Sequence, residues 1–87
     1  MVLDKKVFEN AGLSYEIWDF CFGKEIAKTI MSNKFYLQSY NNNWEITLCQ
    51  EYAVFNALIN REILLQSYSN KEEAENIYLQ LVLSSSN

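Results

Sequence analysis

Apolar and polar side chains alternate from Lys34 to Tyr40 and again from Trp44 to Gln50, with Asn41-Asn42-Asn43 between the two runs. A period of two, interrupted by residues that tolerate positive φ and bond their own backbone, predicts an antiparallel hairpin. Phe35 and Leu37 then lie opposite Tyr36, Gln38 and Tyr40, while Trp44, Ile46 and Leu48 turn inward and Glu45, Thr47 and Cys49 outward. Residues 52–59 read as a third apolar strand. Asn60-Arg61 follows as a two-residue turn, weaker than Asn-Gly because arginine resists the left-handed region. A fourth strand over 62–68 points Ile63 and Leu65 inward. The expected sheet is a four-stranded antiparallel meander.

A helix should follow it. Ser69 and Asn70 each stand three residues before a glutamate, Glu72 and Glu73, and either pair makes a capping box. The predicted helix runs from about 71 to 83, with Ala74, Ile77, Tyr78 and Leu81 as its core stripe and three glutamates near its N-terminus, where the helix dipole favours them. No charged residue follows Glu75. Tyr78, Leu79, Val82 and Leu83 therefore form a candidate self-association surface. The end of this segment also alternates enough to pair as a strand, and the tail 84–87 is expected to fray.

The first third of the chain is less regular. Asp4 is placed to cap a short helix over 5–11, which Gly12 would stop in the left-handed region while Leu13 folds back on it. Residues 15–22 read two ways. By propensity they are a strand; by spacing, Trp18, Phe22, Ile26 and Ile30 step along one helix capped by Ser14, with Gly23 weakening its middle by about 1 kcal/mol. A helix is expected over 24–32. The fold class is α+β: one domain over 1–87, a four-stranded antiparallel sheet, a C-terminal helix on one face, and a helical or mixed N-terminal segment.

Leu37-Gln38-Ser39-Tyr40 recurs as Leu65-Gln66-Ser67-Tyr68. If the two strands are equivalent, Tyr36, Gln38, Tyr40, Leu64, Gln66 and Tyr68 share the face away from Phe35, Leu37, Ile63 and Leu65. That face is the candidate interaction surface, since tyrosine brings large contact area at low entropic cost. The competing reading covers it with Trp18, Phe20 and Phe22 from the N-terminal segment, giving three layers.

The chemistry available is narrow. The 87 residues contain no histidine and no proline, and the two glycines are far apart. Without imidazole, the commonest general base and metal ligand is missing. Two cysteines cannot supply the four ligands of a structural zinc site, and neither has a neighbouring activating base. Glu72, Glu73 and Glu75 point in different directions around a helix and are read as capping residues. The net charge of -4, from 11 acidic and 7 basic residues, disfavours direct nucleic-acid binding. No apolar run reaches membrane-spanning length, and with only Cys21 and Cys49 a reducing cytoplasmic setting is expected.

These features point to a small acidic, non-catalytic protein-binding module without metal or cofactor. It would be an inhibitor or adaptor of phage or mobile-element type, such as an antagonist of a bacterial defence system, acting by steric occlusion. A basic nucleic-acid-binding protein is the partner its charge suits, and a homodimer is an expected assembly. Two alternatives draw on the same residues. One is a small-ligand binder with an aromatic-lined pocket oriented by Gln38 and Gln66; the other is a self-assembling structural subunit.

Overall fold

The computed structural model describes residues 5–85. In chain order these form α1 (Lys5–Asn10), α2 (Tyr15–Phe22), α3 (Lys24–Ala27), β1 (Ile30–Tyr40), β2 (Asn43–Val54), β3 (Ala57–Tyr68) and α4 (Lys71–Ser85). The strands make one antiparallel sheet in the order β1-β2-β3. The α+β class and the C-terminal helix are as expected, but the sheet has three strands among the described residues, not four.

The missing strand boundary has a local cause. Strand pairing continues past Gln50 to Val54, so β2 absorbs the start of the apolar run 52–59 and β3 takes its end. The chain reverses at Phe55-Asn56, between the paired Val54 and Ala57. Asn60 and Arg61, expected as the turn, lie inside β3 opposite Glu51 and Gln50. A turn there would have forced Arg61 out of the inward position in which it bonds the helical layer. The first hairpin follows expectation: Asn41 and Asn42 both have positive φ, at 50° and 65°, as the tight turn between paired Tyr40 and Asn43 requires.

α1 ends as its sequence predicts. Gly12 sits at φ 79°, its N–H donates to Glu9 O at 3.0 Å, and Leu13 N–H donates to Phe8 O at 2.9 Å. That pair of bonds is a Schellman motif, closed by the buried side chains of Phe8 and Leu13. The Asp4 cap lies outside the described residues. Residues 15–22 resolve to a helix, with the Ser14 hydroxyl accepting from Ile17 N–H at 3.2 Å.

Gly23 then breaks the segment rather than bending it. Its ψ of 162° is extended, and its N–H donates to Asp19 O at 2.8 Å. A Cβ there would lie 2.5 Å from that carbonyl oxygen, so the close approach needs glycine. The expected helix over 24–32 ends at Ala27. Thr29 returns both its N–H and its hydroxyl to Ile26 O at 2.9 Å, and Ile30 already pairs with Tyr52. Strand pairing outweighs the four-residue apolar spacing here.

α4 starts where the Asn70 carboxamide accepts from Glu73 N–H at 3.0 Å, and of the two predicted caps this is the one bonded. It is helical through Ser85, taking in 84–85 of the tail expected to fray, and Ser86 and Asn87 lie outside the described residues. Ala74 and Leu81 are buried, with Ile77, Tyr78 and Val82 packed beside them.

The helices share one face of the sheet. Phe8, Trp18 and Phe22 form an aromatic cluster, with Phe8 edge-on to Trp18 at 5.1 Å and to Phe22 at 5.7 Å. This cluster packs on the same core as Phe35, Ile46, Leu48, Leu65 and Leu81. The N-terminal aromatics therefore do not cover the second face, and the three-layer reading is set aside. The described residues make two layers, and none of their helices covers the other sheet face.

Candidate interaction surfaces

The open face is assembled by register. Adjacent strands set Tyr36, Thr47 and Leu64 side by side, Lys34, Cys49 and Glu62 in the row on one side of them, and Gln38, Glu45 and Ser67 on the other. Tyr36 is 49% exposed, Leu64 53% and Tyr40 60%, and Gln38 and Gln66 are exposed as well. On a sheet covered on one side only, the free side should be polar; these apolar groups depart from that rule.

Tyr68 does not belong to this surface. Ile46 pairs with Gln66 but Thr47 pairs with Leu64, so Leu65 is an extra residue, a β-bulge in β3. One inserted residue reverses the facing of everything after it. Tyr68 therefore turns inward opposite Trp44, where it is 7% exposed and its hydroxyl lies 3.5 Å from Ala11 O. The two Leu-Gln-Ser-Tyr segments are thus not equivalent: Tyr40 faces out and Tyr68 faces in.

The α4 candidate divides similarly. Leu79 and Leu83 are exposed, whereas Tyr78 and Val82 are half-buried against the core. Concavities near these surfaces are open depressions, such as the one of about 330 Å³ lined by Tyr36, Gln38, Thr47 and Glu62.

A second surface emerges at the Phe55-Asn56 turn. Phe55 takes φ 55°, which a bulky side chain rarely adopts, and is 97% exposed. Leu58 and Met31 are exposed nearby in the register, and no charged residue occurs from 52 to 60. The turn lies beyond the end of β1, whose first residue pairs with Tyr52. Sequence reasoning missed this tip because the uncharged run was read as a strand. The absence of any charge or turn-forming dipeptide around Phe55 was the available signal.

Sequence reasoning also missed the polar junction that seats α2 on the sheet. Gln50, 2% exposed, donates from Nε2 to Cys21 O at 2.8 Å and to Asn33 Oδ1 at 2.9 Å. Its Oε1 accepts from Arg61 Nε at 2.8 Å, and Arg61 Nη2 donates to Phe20 O at 2.7 Å. The guanidinium lies 4.5 Å from the Phe20 ring centre and 5.3 Å from that of Tyr52. Two terminal carbonyls of α2 are satisfied, that of Cys21 by the Gln50 carboxamide and that of Phe20 by a cation at the end of the helix that favours one. A glutamine in the inward series Trp44, Ile46, Leu48, Gln50 was the clue.

Both cysteines are free thiols. Burial raises the Cys21 pKa to about 11, with Arg61 opposing. Cys49 is raised too, by burial and by Glu62, whose carboxylate accepts its thiol at 3.6 Å. Tyr68 is raised by burial and then by Glu73. Raised thiols are poor nucleophiles at neutral pH. Among the described residues, no three Cys, Asp or Glu side chains converge as metal ligands, and no helix is long and apolar enough to cross a membrane.

A pH dependence follows. These acids ionise at higher pH when folded than when unfolded, so above pH 9 the unfolded chain holds fewer protons and stability falls as pH rises. Thermal unfolding followed by circular dichroism should show a loss of about 1 kcal/mol per pH unit between pH 9 and 11. Cys21→Ala should flatten that slope relative to its own value at pH 8.

Comparison with family models, curated proteins and solved structures finds no match for this chain.

Proposed function

We propose that this chain is a non-catalytic protein-binding module that works by occluding its partner, in the manner of small inhibitors and adaptors carried by phages and mobile elements. The observation that carries the reading is Phe55. An aromatic ring almost wholly in solvent, on a backbone conformation that disfavours it, is a poor choice for folding and a good one for contact. Aromatic anchors entering a partner's pocket supply most of the energy in many protein interfaces. The uncharged flanks 52–60 can be desolvated at little cost, and the net charge of -4 steers the module toward a basic partner. A groove that otherwise holds phosphates fits that description. The free thiols suit a reducing cytoplasm. The open sheet face is the module's second contact surface.

Phe55→Gly tests the reading because stability and binding should move in opposite directions. Relieving positive φ at a bulky residue gains about 1–2 kcal/mol, and glycine's extra unfolded-state entropy removes about half. The variant should melt a few degrees higher while the wild-type protein, tagged in its source cells, retains a stoichiometric protein partner that the variant loses. A folded wild-type protein that captures no partner would end the proposal.

A further inference from the structure

We infer that the free edge of β1 takes up an extended peptide segment of a partner protein, laid along the strand in the groove that α4 forms beside it. The assignment rests on the protein-binding reading and names a recognition mode for a surface other than Phe55. Asn41 and Asn42 both have positive φ, so β1 and β2 are joined by a two-residue turn whose flanking pair, Tyr40 and Asn43, exchanges its hydrogen bonds. Counting back by twos, Gln38, Tyr36 and Lys34 bond β2, while Leu37, Phe35 and Asn33 turn their N–H and C=O groups away from the sheet. The bond from Ala53 N–H to Thr29 O, at 2.9 Å, keeps the same phase at the far end. Among the described residues, no strand lies beyond β1 and no backbone bond meets these outward groups.

α4 packs chiefly on β1. Between them runs an open groove of about 330 Å³, lined by residues 33–36 of the strand and by Tyr78, Val82 and Ser85 of the helix. The helix carries no charge from Asn76 to Ser85, and Lys34 is the one charged residue of β1. A groove with apolar walls and a row of unmet backbone groups along one side fits an extended chain that adds to the sheet and points apolar side chains inward. A helix would not meet those groups, because its own backbone bonds are internal. Asn33, at the edge of the groove, accepts from Gln50 through Oδ1, yet its Nδ2 is buried without a hydrogen-bond partner, the one such side-chain atom among the described residues. An acceptor on the added strand would supply what that amide lacks.

Alternation sets the sequence preferred. The added residue opposite Phe35 points toward Tyr78 and Val82 and should be apolar. The residue opposite Lys34 lies on the other face. Glu51 is diagonal to Lys34 on β2, and Glu62 lies two strands away. The added strand runs on the far side of Lys34 from both, about 4.8 Å from it and at least twice that from either glutamate, so this position favours an acid. In antiparallel addition, the more stable arrangement, the segment then reads apolar, acidic and hydrogen-bond acceptor from N- to C-terminus.

The test uses the full chain and a display library of short random linear peptides. Wild-type protein should enrich peptides in which an apolar residue precedes Asp or Glu. Lys34 is exposed, so Lys34→Glu should stay folded and shift the second preference to Lys or Arg. A lysine that only guarded the edge would leave that preference unchanged. By NMR, the Asn33 and Phe35 amides should exchange freely in the protein alone and the Lys34 and Tyr36 amides slowly; a selected peptide should slow the first pair about tenfold or more. Methylating the peptide's backbone nitrogens one at a time should abolish binding at alternate positions only, the signature of strand pairing. Ser85→Trp, at the end of α4, should fill the groove and weaken binding about tenfold. No enriched peptide, or binding indifferent to every N-methylation, overturns the inference. So do Asn33 and Phe35 amides already slow in the protein alone, because a second copy or the chain's own end would then hold the edge. If no peptide binds while a cellular partner is still captured through Phe55, the groove assignment fails and the protein-binding reading stands; peptide binding with no captured partner would do the reverse.

Discussion

Replacing Arg61 with alanine is expected to lower the unfolding free energy by about 3 kcal/mol, near the upper end for a single half-buried side chain. The guanidinium makes two bonds to different groups, one to the Gln50 carboxamide and one to the Phe20 carbonyl, and packs beside two aromatic rings. Removing it orphans the Gln50 oxygen, which is buried, and exposes the end of α2 without its cation. Arg61→Lys should recover less than half of the loss, because one ammonium cannot reproduce the fork. Urea unfolding of the three proteins checks this, read as a shift of midpoint at constant slope. A loss below about 1 kcal/mol would mean that apolar packing alone seats α2, and that the junction is incidental.

The second large effect concerns two tyrosines in identical tetrapeptides. Tyr68→Ala should cost about 3–4 kcal/mol, as truncation of a large buried aromatic does, whereas Tyr40→Ala should stay within about 0.5 kcal/mol. Tyr68 lies in the core beside Ala11 and opposite Trp44, while Tyr40 ends β1 in solvent. The contrast depends wholly on the bulge at Leu65. Comparable costs for both substitutions, measured by thermal or denaturant unfolding, would show that β3 keeps its alternation and that Tyr68 faces out after all.

Those two results separate what was legible in the residues from what was not. The first hairpin, the Schellman stop at Gly12 and the Asn70 cap were all readable, because each depends on contacts within a few positions along the chain. The inward set Phe35, Ile46, Leu48 and Leu65 was readable too, since alternation survives any choice of partner strand. The open face was legible as a set of tyrosines and a leucine, but not as an open face: whether Trp18 and Phe22 covered it depended on which side the N-terminal helices docked.

The errors fall where local preference was opposed by a distant partner. Asn60-Arg61 is a passable turn, but Arg61 gains Gln50, Phe20 and Tyr52 by staying inside β3, and the reversal moves to Phe55, a residue poorly suited to it. The helix expected to reach residue 32 stops at Ala27 because pairing of Ile30 with Tyr52 competes for the same backbone. Local pattern by itself determined the class of most elements, residues 15–22 and 30–32 excepted, and the residues able to form a core. Tertiary structure alone decided the strand count, the facing of Tyr68, and the side on which the helices lie. The physical reason is that a strand's hydrogen bonds, and the bulge that resets its facing, belong to a pair of segments, and neither segment encodes the pairing alone.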